Sequence, residues 1–194
     1  MRYLMTLKIF FIFATVCLIA PAWAGNLVTN PGFETGDLTG WTNGGQWLID
    51  TGAPQSGTYD ATNGCVTSSC ITDPSYGSWL YQDLTTAIGQ AYDLSFWYNS
   101  FGNVGTELDV LWGGTSVIDL VNVAAGYNQY SVPGLLATPG PTTQLEFLGR
   151  QDPSFLHLDN VSVTQSGGVP EPATFALLAG GFLLIGGLRR RLRA

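Results

Sequence analysis

The segment Tyr92-Asp93-Leu94-Ser95-Phe96-Trp97-Tyr98 decides the fold class of this 194-residue chain. Large apolar side chains occupy alternate positions of the segment, at Tyr92, Leu94, Phe96 and Tyr98. Successive side chains of a β-strand point to opposite faces of a sheet, so this alternation predicts a strand with one face in a core. The phase of the alternation places Asp93 and Ser95 on the other face.

The same two-residue period recurs along the chain. It places Leu108, Val110 and Trp112 on one face of a second strand, and Gly113-Gly114 predicts a tight hairpin turn into residues 115–121. Further strands are expected at residues 46–50, 58–61, 78–84, 127–132, 142–149 and 155–164. Eight to ten short strands without a helical period predict an all-β domain over residues 25–166, a jelly-roll-like β-sandwich.

Charge is distributed very unevenly. Thirteen of the 14 acidic residues lie between Glu34 and Asp159, where Arg150 is the only basic residue. Residues 25–168 therefore have a formal charge of −12. A nucleic-acid-binding protein needs a basic face to neutralise phosphates, so this class of partner is excluded. So acidic a domain should instead attract cations.

The N-terminus has the three parts of a secretory signal peptide. A short basic region ending at Lys8 precedes an apolar run at residues 9–20, and Ala22-Trp23-Ala24 places small residues before a cut at Gly25. We therefore expect residues 1–24 to be removed during export by a signal peptidase. An uncleaved N-terminal anchor is the alternative.

The C-terminus predicts a membrane anchor. A linker at residues 167–172 leads into residues 173–188, which carry no charge, and a basic cluster follows at Arg189, Arg190, Arg191 and Arg193. Sixteen helical residues span about 24 Å, somewhat less than a ~30 Å hydrocarbon core, and arginine side chains can bridge the difference. The positive-inside bias keeps the tail at residues 189–194 in the cytoplasm.

Pro170, Glu171 and Pro172 stand directly before this apolar segment. The ordered set of tripeptide, apolar helix and arginine cluster resembles the PEP-CTERM sorting signal of Gram-negative bacteria. The resemblance implies that an exosortase removes the helix and transfers the chain from an inner-membrane-anchored precursor to the cell surface or extracellular matrix. A permanent membrane anchor is the alternative.

Cys65 and Cys70 are the only cysteines that remain after signal cleavage. Export to an oxidising compartment favours a disulfide between them over two free thiols. A zinc site would need a second pair of cysteine or histidine ligands, and the sequence has only one histidine.

Two segments at the ends of the domain carry a second resemblance. Asn30-Pro31-Gly32-Phe33-Glu34, with Trp41 seven residues on, resembles the opening of carbohydrate-binding-module-like, galactose-binding-like jelly rolls, and residues 158–163 resemble their closing strand. In such modules the first and last strands lie together. A structural Ca²⁺ often lies between an early Glu and a late Asp, which implies Glu34 and Asp159 as ligands here. Calcium prefers carboxylate and carbonyl oxygens. Alternatively, the two carboxylates are solvated or cap loops.

Aromatic side chains are candidates for stacking on sugar rings. Trp47 and Trp97 stand opposite the main apolar phase of their strands, so we expect these two to be exposed and available to a ligand. Trp41, Trp79 and Trp112 are more typical of core positions.

Catalytic motifs are not found in the sequence, and no residue is assigned a catalytic role. His157 is the only histidine, and a hydrogen-bonded structural role is expected for it. The sequence thus predicts an exported, non-enzymatic surface or matrix protein associated with exopolysaccharide or biofilm. A carbohydrate-binding module with a specific glycan is the first alternative. A secreted glycoside hydrolase, which would need two suitably spaced carboxylates, is the second.

Overall fold

A computed structural model describes residues 25–102 and 104–167. The predicted signal peptide, the Pro-Glu-Pro motif, the apolar segment at residues 173–188 and the arginine-rich tail lie outside the described residues. Within them, neither helix has the length and hydrophobicity needed to cross a membrane.

The described chain is all-β, as the alternating pattern predicts. Ten strands form, together with one short α-helix, α1 (Ser69–Thr72), and one 3-10 helix (Pro74–Tyr76). The strands are β1 (Thr42–Asn43), β2 (Trp47–Asp50), β3 (Asp60–Asn63), β4 (Trp79–Thr85), β5 (Ala91–Asn99), β6 (Glu107–Trp112), β7 (Thr115–Val121), β8 (Asn128–Leu136), β9 (Thr142–Arg150) and β10 (Leu156–Gln165).

The strands form two five-stranded antiparallel sheets. The front sheet has the order β1-β4-β9-β6-β7, and the back sheet has the order β2-β3-β10-β5-β8. Consecutive strands repeatedly change sheet, as in a jelly roll. The predicted turn at Gly113-Gly114 joins β6 to β7, and both glycines have the positive φ values that this two-residue turn requires, 57° and 79°.

The core lies between the sheets and follows the predicted phase. Leu94 and Phe96 of β5 are buried, as are Leu108 and Val110 of β6. Phe147 of β9 packs edge-on against Phe96, with their ring centroids 5.5 Å apart, so the central strands of the two sheets interlock.

The start of the domain lies along its last strand, as the resemblance to binding modules implies. The backbone N–H of Leu27 donates to the carbonyl of Val163, and that of Val161 donates to the carbonyl of Pro31. The Asn26 side chain adds a donor to Val161 and an acceptor for Val163. These bonds bring the Asn30–Glu34 segment beside the closing strand.

Candidate functional site

The outer face of the front sheet presents a row of aromatic and acidic side chains. On its central strands, every second residue is buried and the residues between are half-buried or exposed. We call these outward residues the front face: Trp79, Tyr81, Asp83 and Thr85 of β4, Glu107, Asp109 and Leu111 of β6, and Thr142, Gln144, Glu146, Leu148 and Arg150 of β9.

Trp79 and Tyr81 form an aromatic pair on this face. Their ring centroids lie 5.5 Å apart with the planes tilted by 32°, and both rings are half-buried. The indole N–H of Trp79 donates to the carbonyl of Pro74 at 3.1 Å. Because this bond uses the one polar group of the indole, the ring is held in place and its apolar surface stays available.

The segment that holds Trp79 is itself braced. A disulfide joins Cys65 and Cys70 ahead of the 3-10 helix, which confirms the predicted pairing, and both cysteines are buried. The Asp73 carboxylate accepts a hydrogen bond from Ser75 N–H at the start of the 3-10 helix. The carbonyl that anchors Trp79 therefore belongs to a capped 3-10 helix that begins shortly after the disulfide.

Carboxylates lie next to the aromatic pair. Tyr81 is directly opposite Glu146 on β9, and Glu146 is opposite Leu111 on β6. Trp79 is opposite Leu148, which is opposite Asp109. Directly opposed side chains of an antiparallel pair lie about 4.5–5.5 Å apart at Cβ, so Glu146 borders the aromatic pair and Asp109 lies one strand farther away.

The acidic side chains of this sheet crowd one another. Burial raises the pKa of Glu146, and the nearby charge of Asp109 raises it further. Burial and then Asp109 raise the pKa of Asp119, which is opposite Asp109 on β7. For Glu107, burial and Asp119 raise the pKa while Arg150 lowers it. The front face is thus rich in hydrogen-bond acceptors and poor in positive charge.

Of the two tryptophans that were expected to be exposed, Trp47 needs correction. Trp47 is not exposed: its side chain is fully buried and its indole N–H donates to the Ser78 carbonyl at 2.8 Å. The ring fits into the space beside Gly149, where an added Cβ would lie 3.1 Å from the indole, so the prediction for Trp47 is wrong. Trp97 is half-buried on the outer face of the back sheet, opposite Asp159 and Gln129.

Sequence reasoning missed Trp79 and Tyr81, although a signal for them was present. Leu80 and Leu84 set the buried phase of β4, and Trp79 and Tyr81 stand out of that phase. Trp41 and Trp112 are buried, as expected for core positions.

Glu34 and Asp159 hold the same loop, which joins β2 to β3. Both carboxylate oxygens of Glu34 accept from Thr58 N–H, at 3.0 and 3.1 Å, and Oε1 also accepts from Tyr59 N–H. Asp159 Oδ2 accepts from the N–H groups of Gln55 and Ser56 at 3.0 and 3.1 Å. The structure therefore shows loop capping for both carboxylates, which was the alternative to calcium.

Glu34 and Asp159 have few free oxygen lone pairs left to offer a calcium ion. An added Cβ at Gly32 would lie 3.5 Å from Asp159 Oδ1 and 3.8 Å from Glu34 Cγ, so both side chains border one small space. After its backbone bonds, each carboxylate keeps one oxygen with a free lone pair. Burial raises the pKa of Asp159 to about 6 against the lowering effect of these backbone bonds, and the charge of Asp60 adds to the rise. Two free lone pairs are few for an ion that takes six to eight oxygen ligands, so other groups would have to complete the site, and calcium stays a prediction.

His157 occupies the hydrogen-bonded position expected of it. Its Nδ1 lies 2.8 Å from Asp60 Oδ2 and 3.9 Å from Asp50 Oδ2, and its ring is buried. Sequence reasoning missed both aspartates as its partners, because Asp60 is 97 residues away along the chain.

Comparison with known proteins identifies the tail and the fold. The PEP-CTERM protein-sorting motif matches residues 168–191. No curated protein sequence matches the chain.

Three solved structures illustrate what the domain is similar to. TmCBM61 in complex with beta-1,4-galactotriose is 14% identical with a TM-score of 0.54, over 73% of this chain and 99% of that one. The family 16 carbohydrate-binding module-2 is 16% identical with a TM-score of 0.53, over 72% and 99%. A part of the arabinose-bound MgGH51 α-L-arabinofuranosidase is 10% identical with a TM-score of 0.54, over 74% of this chain and 27% of that one.

At these identities the likeness concerns the fold alone. The domain is therefore a β-sandwich with the fold of carbohydrate-binding modules. A PEP-CTERM sorting motif follows it in the chain and indicates an exported protein with a membrane-anchored precursor.

Proposed function

We propose that the protein is an exported, non-enzymatic surface protein whose front face binds a neutral polysaccharide of the extracellular matrix or biofilm. The observation that carries the proposal is the anchored aromatic pair Trp79 and Tyr81, half-buried on the outer face of the front sheet beside Glu146.

The chemistry of this face suits a sugar. The apolar face of a pyranose ring stacks on an aromatic ring, and its hydroxyl groups donate hydrogen bonds to carboxylates, which are strong acceptors. Because the indole of Trp79 is already fixed by Pro74, little ring freedom is lost on binding.

The shape of the face favours a chain over a single sugar. Five strands about 4.8 Å apart give a sheet roughly 20 Å wide, enough for several sugar units across the strands. Its side chains are arranged along this direction, because directly opposed residues form rows such as Tyr81, Glu146 and Leu111.

The charge of the face selects among polysaccharides. Glu107, Asp109, Asp119 and Glu146 crowd one another, and Arg150 is the one basic side chain in the described residues. A polyanionic glycan would meet like charges, which disfavours binding. We therefore assign neutral glycans as the ligand class.

Affinity electrophoresis of the full chain tests this assignment. Native gels containing β-1,4-galactan, xylan or glucomannan are compared with gels containing alginate, a polyanion. We expect a neutral polysaccharide to retard the wild-type protein and alginate not to retard it. Retardation by alginate alone, or by none of the three neutral polysaccharides, would contradict the proposal.

The non-enzymatic part has its own test. The same neutral polysaccharides are incubated with the full chain, and reducing ends are measured over time. Release of reducing ends that stops in a Glu146→Gln variant would overturn the binding-only function in favour of a glycoside hydrolase.

Delivery follows from the tail. We propose that a signal peptidase cuts before Gly25 and that an exosortase cuts near Pro170, which places the mature domain on the surface of a Gram-negative cell or in its matrix. Mass spectrometry of protein from the envelope and the medium checks this. An intact arginine tail in both fractions would contradict it.

Calcium would act as a structural ion in this protein. Glu34 and Asp159 would hold it between the first segment of the domain and β10. We expect the melting temperature to fall when EDTA is added to calcium-loaded protein, and to recover with excess Ca²⁺. An unchanged melting temperature would remove calcium from the account.

A further inference from the structure

We propose that Asp50, Asp60 and His157 form a binding site for a divalent transition-metal ion, with Zn²⁺ as the representative ion. The site lies on the outer side of the back sheet and is separate from the front face. The three residues come from three adjacent strands, β2, β3 and β10.

The spacing of the ligand atoms suits such an ion. One side-chain atom from each residue lies within 4.8 Å of the others. With metal–ligand bonds of about 2.1 Å, neighbouring ligands of a tetrahedral site are about 3.4 Å apart. His157 Nδ1 lies 3.9 Å from Asp50 Oδ2, close to this value, whereas its 2.8 Å distance to Asp60 Oδ2 is a hydrogen bond that a bound ion would replace.

Asp60 provides an independent sign of a ligand. Its side chain is fully buried, and its Oδ1 has no hydrogen-bond partner among the described residues. A buried carboxylate oxygen without a partner is costly, because it has lost water and gained nothing in return. A cation bound to Oδ1 would remove this cost.

The strand register adds to the need for a cation. Asp50 and Asp60 are directly opposite each other on β2 and β3. Two like charges in such a cross-strand pair repel. Among the described residues, His157 is the one side chain at ion-pair distance from both, and it brings a single charge at most.

The surroundings resemble those of a metal site. Tyr127 donates its hydroxyl proton to Asp60 Oδ2 at 2.8 Å, which orients the carboxylate from outside the ligand set. The side chain of Asp50 is 40% exposed, so an ion can enter from solvent on that side. One imidazole nitrogen with two carboxylates favours zinc and similar ions over calcium, which prefers oxygen alone.

The test measures zinc binding by the purified full chain. The metal-free protein is titrated with ZnCl₂ in a calorimeter, and Co²⁺ is added in parallel as a visible-light probe of coordination. We expect one Zn²⁺ per chain, a Co²⁺ absorption spectrum typical of four-coordination, and a higher melting temperature with Zn²⁺. Absence of stoichiometric Zn²⁺ binding would overturn the proposal.

Variants locate the ion. His157→Gln and Asp50→Asn each should weaken Zn²⁺ binding at least tenfold, and Asp50→Asn is the safer variant because Asp50 is half-exposed. Asp152→Asn, an exposed carboxylate between β9 and β10, is the matched control and should bind Zn²⁺ as the wild type does. Equal affinity in wild type, His157→Gln and Asp50→Asn, or displacement of Zn²⁺ by equimolar Ca²⁺, would also overturn the proposal.

Discussion

The outer faces of the two sheets both carry carboxylates, but these carboxylates differ in burial and in hydrogen bonding. On the front sheet, Glu146 borders an aromatic pair and Asp109 lies one strand farther away, and both are half-buried. On the back sheet, Asp60 and Asp159 are fully buried. Tyr127 reaches over Asp60, and the loop joining β2 to β3 donates two N–H groups to Asp159.

The difference separates two uses of the same residue type. A carboxylate with free lone pairs on an open face is available to the hydroxyl groups of a ligand. One that is enclosed by protein donors holds strands and loops together, and its loss leaves those donors unsatisfied. We therefore expect substitutions on the back face to act on stability and substitutions on the front face to act on binding.

The largest expected effect is on the back face. Asp60→Ala leaves the Tyr127 hydroxyl and the buried His157 without their shared acceptor, and should lower the free energy of unfolding by about 3 kcal/mol. Urea denaturation monitored by tryptophan fluorescence measures this. Asp83→Ala, on the exposed side of the front sheet, is the control and should change it by less than about 0.5 kcal/mol. Equal losses of unfolding free energy in both variants would contradict the stated difference between the two faces.

A smaller effect should come from the disulfide that braces the front face. Replacing Cys65 and Cys70 by serine removes a short loop closure worth roughly 2 kcal/mol. Because this segment leads to the carbonyl that anchors Trp79, affinity for the polysaccharide should fall as well. Denaturation and binding are measured on the same preparation. A stability loss without any loss of affinity would show that the brace does not position Trp79.

The smallest effect concerns Glu146. Burial raises the pKa of this carboxyl, so folding favours its protonated form and stability decreases as the pH rises above the ordinary value of 4.5. Glu146→Gln should therefore raise the melting temperature at pH 7, and the gain should shrink towards pH 4. The same variant should bind polysaccharide less well. A melting temperature that falls at pH 7 would contradict the assigned direction of the pKa shift.

Sequence alone predicts much of this fold for a local reason. The alternation at residues 92–98 and 107–112 identifies two strands and the face that each one buries, and Cys65 and Cys70 are the only cysteines outside the predicted signal peptide. The sandwich class follows from many such segments. The tail motif is likewise a continuous stretch of residues.

The site residues were harder to predict from the sequence because their contacts are with residues far along the chain. Trp47 is buried since Ser78 and Gly149, far along the chain, provide an acceptor and a space for its ring. His157 meets Asp60 only because β10 pairs with β3. The phase of Leu80 and Leu84 places Trp79 on the outer face of β4, but the hydrogen bond that anchors its indole to Pro74 depends on the folded structure.

The contribution of each of the two half-buried tryptophans to polysaccharide affinity tests the central claim most directly. Calorimetry with the neutral polysaccharide that retards the wild-type protein gives the dissociation constants of Trp79→Ala and Trp97→Ala, one on each outer face. We predict at least a tenfold weaker affinity for Trp79→Ala, about 1.4 kcal/mol, and an unchanged affinity for Trp97→Ala. Loss of binding in Trp97→Ala with full binding in Trp79→Ala would contradict the account and move the ligand to the back sheet.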